Sequence, residues 1–194
     1  MQDIADALGL HKGSLHQHID NKEDVVYEII IEALTTTTDV PEQTCAAAST
    51  FAEKLRLAID HHIRFTAVNH DALAVTLENT KHLSEERRLP IIEQQHRYEK
   101  SFIDILEGGI RAGEFRPVDV KVVAFAIIGV CNWVYRWYSS EGRLSSDEIA
   151  QIHYDFVFSV LQPSAREAKV ISFSEDLLPR RVRIDEAKTD PCLP

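Results

Sequence analysis

The sequence is short of the residues on which most catalytic and metal-binding motifs depend. Glycine occurs seven times in 194 residues, and no phosphate-cradling glycine loop or G-x-S-x-G elbow can be assembled from them. The three cysteines, Cys45, Cys131 and Cys192, are widely separated and odd in number. That spacing excludes a disulfide framework and a thiolate metal site. No apolar run is long enough to span a bilayer, and no basic start leads into an apolar signal segment. A cytoplasmic protein that neither crosses nor enters a membrane is therefore expected. Basic residues are scarce as well. The net charge is −10, and the first forty-five residues hold only Lys12 and Lys22 as Lys or Arg. Acids crowd the segment from Asp20 onward, whereas Met1 to Ile19 carries only Asp3 and Asp6 against Lys12. Phosphate binding rests on a local surface more than on a whole-chain sum, so nucleic acid is disfavoured but not excluded.

What remains is a chain that reads as nearly all helix. Gln2–Leu8 is a short helix closed by Gly9, and Lys12–His18 is another. Asn21 then has the character of an N-cap, with Glu23 and Asp24 in the following first turn. "KEDVVYEIIIEAL" continues with Val25, Val26, Ile29 and Ile30 at helical spacing. "TTTTDVP" (35–41) predicts a frayed end or a hinge between domains. Beyond it come a helix over Gln43–Val68, with Phe51, Leu55, Ala58 and Ile59 on one stripe, and another over Asp71–Leu83. A third begins near Pro90 and ends at Gly113, a C-cap. Val120–Tyr138 follows, apolar almost all round. Ser145 and Glu148 form a capping box for Asp147–Leu161, and Pro163 stops that helix. The prediction is an all-α protein in three parts: a helix-turn-helix domain at 1–40, a ligand-binding and dimerisation domain at 41–162, and a weakly patterned tail at 163–194.

Three of the nine histidines fall in His11–His18. His16 and His18 point about 200° apart on a helix, so one ion cannot easily bind both. "EQQH" (93–96) is a single E-x-x-H, and a di-iron bundle needs two with further carboxylates. No metal, cofactor or catalytic residue is assigned. "DHHIRF" (60–65) is expected to place one histidine in the core and one outside, with a polar pocket residue as the alternative role for one of them. The short helices suit a different role. With Ile4, Ala5, Leu8, Leu15 and Ile19 packed inward, Lys12, Ser14, His16, Gln17 and His18 are free to meet a groove.

"MQDIADALGLHKGSLHQHIDNKEDVV" resembles the DNA-binding segment of TetR-family transcriptional regulators. Ile4, Ala5, Gly9, Leu10, Gly13, Ser14, Leu15, His18, Asn21 and Lys22 carry the resemblance. His16 stands where the family has a phosphate-contacting Tyr, Ile19 where it has a core Phe, and His11 where it has Ser or Thr. The resemblance implies DNA contacts from Lys12, Gly13, Ser14, His16, Gln17, His18 and Lys22. The family pattern opens with a further helix, so the domain is expected to be incomplete at its N-terminus and to bind DNA weakly. "AGEFRPVDVKVVAFAIIGVCNWVYRWYSSEGRLSSDEI" (112–149) is similar to a subgroup of the family that responds to acyl-CoA thioesters of fatty or steroid-derived acids. That implies a homodimeric repressor released from double-stranded operator DNA by a small apolar, acyl-CoA-like effector.

The expected pocket lies among residues 69–113, with the Val120 helix behind it. Its candidate residues are Arg64, Asn79, Tyr98, Phe102, Phe125 and Asn132, together with Trp133, Arg136 and Trp137. Trp133 and Trp137 sit one turn apart, and packing in a dimer core is the alternative for them. The alternative for the whole chain is a helical ligand-binding homodimer that no longer binds DNA.

Overall fold

The computed structural model describes residues 22–46 and 48–163, without the side chains of residues 22 and 38–46. The recognition segment before residue 22 and the tail after 163 lie outside the described residues. Six α-helices are described: α1 (Lys22–Ala46), α2 (Phe51–Val68), α3 (His70–Asn79), α4 (Glu85–Arg111), α5 (Val120–Trp133) and α6 (Ser146–Leu161). Single 3₁₀ turns, Thr80–His82 and Val134–Arg136, follow α3 and α5. The described residues contain no strand.

The principal core joins α2, α4, α5 and α6 through Leu55, Ile59, Ile63, Phe102, Leu106, Ile127 and Leu161, all but sealed from solvent. A smaller cluster of Ile30, Leu83 and Ile91 seats α1 against the start of α4, with Val75 of α3 beside it. Helix α1 thus touches α2, α3 and α4 at once.

Helix boundaries follow local chemistry. Thr50 caps α2 through a reciprocal box with Glu53, and Ser145 does the same for α6 with Glu148. Gly113 takes a φ of 75° just past α4, a conformation glycine adopts without a Cβ penalty. The loop between α4 and α5 ties down two other helix ends. The backbone N–H groups of Phe51 and Ala52 donate to Glu114 at 3.1 and 2.9 Å, so one carboxylate satisfies two orphan donors of α2. Two residues on, Arg116 donates its backbone N–H to the Leu161 carbonyl at 2.9 Å and its Nε–H to the Val160 carbonyl at 2.6 Å. A cation therefore closes the C-terminus of α6. Glu114→Ala strands both α2 donors at a partly buried site. It is expected to cost about 1–2 kcal/mol, measured as a shift of the urea midpoint at unchanged slope.

Four boundaries differ from the sequence expectation. The threonine-rich segment neither frays nor hinges, since α1 is continuous to Ala46. The Thr36 and Thr37 hydroxyls donate to the carbonyls of Glu32 and Ala33, at 2.9 and 2.7 Å, so β-branching is absorbed inside the helix. The next helix accordingly starts at Phe51, not Gln43. Pro90 does not open α4 but sits inside it, the helix starting at Glu85. Its missing N–H leaves the Glu86 carbonyl to water, and both residues are exposed, so the helix survives. The apolar helix Val120–Tyr138 breaks at Trp133 into a 3₁₀ turn, which turns Arg136 and Trp137 away from the α-helical register.

Candidate ligand-binding site

A cavity of about 230 Å³ lies where five helices meet. Helix α1 contributes Ala33, Leu34 and Thr37, and α2 contributes His62 and Phe65. Helix α3 supplies Leu73, Thr76 and Leu77. Gln95, Tyr98 and Glu99 come from α4, and Ile128 and Asn132 from α5. Most of the wall is apolar, with a few converging polar groups, the usual make-up of a small-molecule site.

Three of the polar groups, Tyr98, His62 and Asn132, form one chain. The Tyr98 hydroxyl lies 2.7 Å from His62 Nδ1, and His62 Nε2 lies 2.9 Å from Asn132 Oδ1. An amide oxygen can only accept, so His62 Nε2 carries the hydrogen and Nδ1 accepts from Tyr98. The imidazole is therefore neutral and both its nitrogens are used. Electrostatics push the same way: burial is the largest cause that depresses the His62 pKa to about 4, partly opposed by the bond to Asn132, with His61 and His153 adding repulsion. Burial also pushes the Tyr98 phenol well above its ordinary value. Ring contacts continue the line, with His62 edge-on to Tyr98 at 5.5 Å and Tyr98 edge-on to Phe102 at 5.4 Å. Behind them Cys131 is buried, and burial raises its thiol pKa to about 12, so it is inert.

His61, next in sequence, is half-buried and points elsewhere. Burial lowers its pKa too, partly opposed by the nearby Thr37 backbone and Asp60. Both histidines thus take up protons more readily in the unfolded chain than in the folded one. The stability that the neutral histidines contribute is fully present above pH 6.5 and is lost as the pH falls toward 4. His62→Gln, which can keep a donor and an acceptor, is expected to flatten most of this dependence. Thermal melts from pH 7.5 to 4.5 would check it, and an equally steep slope in the variant would count against the assignment.

Of the residues proposed from sequence, the structure brings Tyr98 and Asn132 to the cavity. Phe102 is fully buried one layer behind, and Asn79 donates Nδ2–H to the Val75 carbonyl of its own helix at 3.1 Å. Arg64 is exposed and paired with Asp60 and Asp147 at 2.8 and 2.7 Å. Arg136 reaches Glu78 at 3.7 Å. Phe125, Trp133 and Trp137 are exposed. The proposed DNA contacts Lys12, Gly13, Ser14, His16, Gln17 and His18 lie outside the described residues, as does the side chain of Lys22.

His62 is the one residue of the polar chain absent from the candidate pocket residues, although one histidine of 60–65 was expected to be buried and a pocket role was an alternative for it. A signal for it existed: His62 falls seven residues after Leu55, on the stripe of Leu55, Ala58 and Ile59. A histidine there is buried and must find partners.

The described residues thus form a helical domain with a cavity walled on one side by the long helix α1. Residues 48–161 match the family described as "Tetracyclin repressor-like, C-terminal domain". The chain belongs to this family of TetR-type transcriptional repressors and is not an enzyme. It is 29% identical over 167 residues to the HTH-type transcriptional repressor KstR2 of Mycolicibacterium smegmatis, covering 84% of this chain and 81% of the relative. Among solved structures it is similar to the TetR-family regulator PfmR of Thermus thermophilus. The identity is 33% and the TM-score 0.75, over 84% of this chain and 88% of PfmR. It is also similar to AibR in complex with isovaleryl coenzyme A and operator DNA. There the identity is 26% and the TM-score 0.71, over 81% of this chain and 85% of AibR.

Proposed function

We propose that this protein is a homodimeric repressor whose hold on operator DNA is released by an acyl-CoA thioester of a fatty or steroid-derived acid. The observation that carries the reading is the position of the cavity. Three of its wall residues, Ala33, Leu34 and Thr37, belong to α1. In sequence α1 follows directly on the segment proposed to read DNA through Lys12 to His18. A ligand that separates α1 from α3 and α4 therefore acts on the element joining the two functions. The first turn of α1 is also tied to α4: Ser84 donates its N–H to Glu23 at 2.7 Å, and Arg87 pairs with Asp24. The Ser84 bond is the main cause of a lowered Glu23 pKa.

Binding to a conformer with displaced recognition helices weakens operator binding by the ligand's differential affinity for the two states. The relatives support the ligand class, since AibR was crystallised with both isovaleryl coenzyme A and operator DNA. The outward faces of α5 and α6 supply the dimer contact, which sets two recognition helices about one DNA turn apart, ~34–36 Å.

The test is a mobility-shift titration of the full chain on its own upstream DNA at low salt, with and without CoA thioesters. Retardation that thioesters reverse is the expected result. Thioester binding without retardation would instead favour a ligand-binding dimer that no longer recognises DNA, a reading in line with the acidic first forty-five residues.

A further inference from the structure

The cavity's size and the direction of its hydrogen-bond chain carry the ligand assignment further, and this step rests on the acyl-CoA reading above. A cavity of 150 Å³ can hold benzene, so about 230 Å³ accommodates roughly nine or ten non-hydrogen atoms. A palmitoyl chain needs close to twice that space on the same scale. The polar chain ends in a free donor. Asn132 Oδ1 is used by His62 Nε2–H, and the Asn132 Nδ2 hydrogens have no acceptor among the described residues. The Thr37 and Thr76 hydroxyls donate to carbonyls of their own helices, which leaves the side-chain amides of Asn132 and Gln95 as donors in the wall, and of these Asn132 is the one held in place by His62. Charge selects further. Among the described residues that line the cavity none is Lys or Arg, and the single charged type is acidic, Glu99. A carboxylate entering here meets no cation and one like charge, whereas an ester or thioester carbonyl carries no charge to desolvate.

We propose that the cavity takes a short-chain, branched or single-ring acyl group of about ten non-hydrogen atoms or fewer, as its neutral thioester and not its free acid, with the carbonyl oxygen accepting from Asn132 Nδ2. The nucleotide portion of the ligand stays outside the cavity. Specificity then comes from the wall: the cavity volume limits length, Asn132 fixes the carbonyl, and Glu99 rejects the acid.

The experiment is a calorimetric titration of the full chain with CoA thioesters from butyryl through isovaleryl, benzoyl and octanoyl to palmitoyl, beside the matching free acids and free CoA. Two variants accompany it. Leu73→Trp fills the cavity. Asn132→Asp keeps an acceptor for His62 while removing the donor. The short and single-ring thioesters are expected to bind, and palmitoyl-CoA and the free acids to bind at least tenfold more weakly. Leu73→Trp should abolish binding, and Asn132→Asp should weaken it about tenfold or more. Melting curves of the unliganded variants report whether they fold, and the chain-length series on the natural protein stands without them. Palmitoyl-CoA binding as tightly as butyryl-CoA overturns the size limit and leaves the acyl-CoA reading intact. Free acids binding like their thioesters overturn the charge argument. Full binding by a folded Asn132→Asp overturns the carbonyl contact. If no thioester binds, the acyl-CoA reading itself falls, and this inference with it.

Discussion

Replacing both Trp133 and Phe156 with Glu is expected to turn the protein into a monomer and to reduce operator affinity by two to four orders of magnitude. The two side chains are 61% and 62% exposed, against every expectation for large aromatics in a closed surface. They are not isolated. Val122, Phe125 and Val130 are exposed on α5 with Trp133, and Ile152 and Val160 are exposed on α6 with Phe156. Apolar patches of this extent mark an interaction site. The opposite faces of the same helices are buried, with Ala124, Ile127 and Cys131 inward on α5 and Ile149, Val157 and Leu161 inward on α6. Each helix thus has two apolar faces, and one chain covers only one of them. Gly129 on the outer face of α5 has nothing within 4 Å of where a Cβ would stand, leaving room for a second backbone to approach.

In the proposed dimer four such helices from two copies make an isologous bundle, in which each substitution is felt twice. A carboxylate buried at its centre without a partner is costly enough to break the interface. Light scattering should give twice the 22.0 kDa chain mass for the natural protein and the chain mass for the double variant. The loss of operator affinity follows from losing the second half-site contact, an avidity factor of about 10²–10⁴. A double variant that remains dimeric would refute this interface.

The same two-faced helices show what could be read from sequence. Val120–Tyr138 was legible as needing cover on several sides, because its apolar residues leave no polar stripe. Ser145–Glu148 and Gly113 were legible because capping boxes and left-handed C-caps are written in local residue types. Other features depend on tertiary context that no local window holds. Four threonines and a proline argue against a helix, yet α1 passes through them because its buried face, from Ile30 to Thr37, packs on three other helices. Tyr98 and Asn132 could be proposed as pocket residues from position alone. Their partner His62 lies 36 and 70 residues away from them in sequence, and only the packing of α2 against α4 and α5 makes the three a unit. The arginines were the poorest guide. Arg64 and Arg136 found acidic neighbours on the surface, as most arginines do.

The pair Gly108–Gly109 breaks a helix rule inside α4, and its explanation gives the second large effect. Glycine inside a helix costs about 1 kcal/mol relative to alanine, so Gly→Ala would stabilise α4 if nothing else touched it. Both positions are buried, and each faces an aromatic ring. A Cβ on Gly108 would strike the outer edge of Phe51, a half-buried ring near the start of α2 that can turn aside. At Gly109 the Cβ would strike Phe115 close to its root, with Cγ itself 2.9 Å away. Phe115 is 2% exposed and lies edge-on to Phe158 at 6.4 Å, and its backbone N–H donates to the Gly109 carbonyl at 3.1 Å. Neither the ring nor its backbone has anywhere to go. Overpacking of this kind costs about 1–3 kcal/mol, and often more where backbone must shift, which outweighs the gain in helix propensity. Gly109→Ala should therefore destabilise the protein by at least ~2 kcal/mol, and Gly108→Ala by much less. Phe115→Leu alone should also destabilise, through the cavity it leaves. Combined with Gly109→Ala it should cost clearly less than the sum of the two, because the new methyl occupies space the ring vacates. Equilibrium urea unfolding of the four proteins measures the coupling. Strict additivity would mean that the steric conflict at Gly109 is not with Phe115.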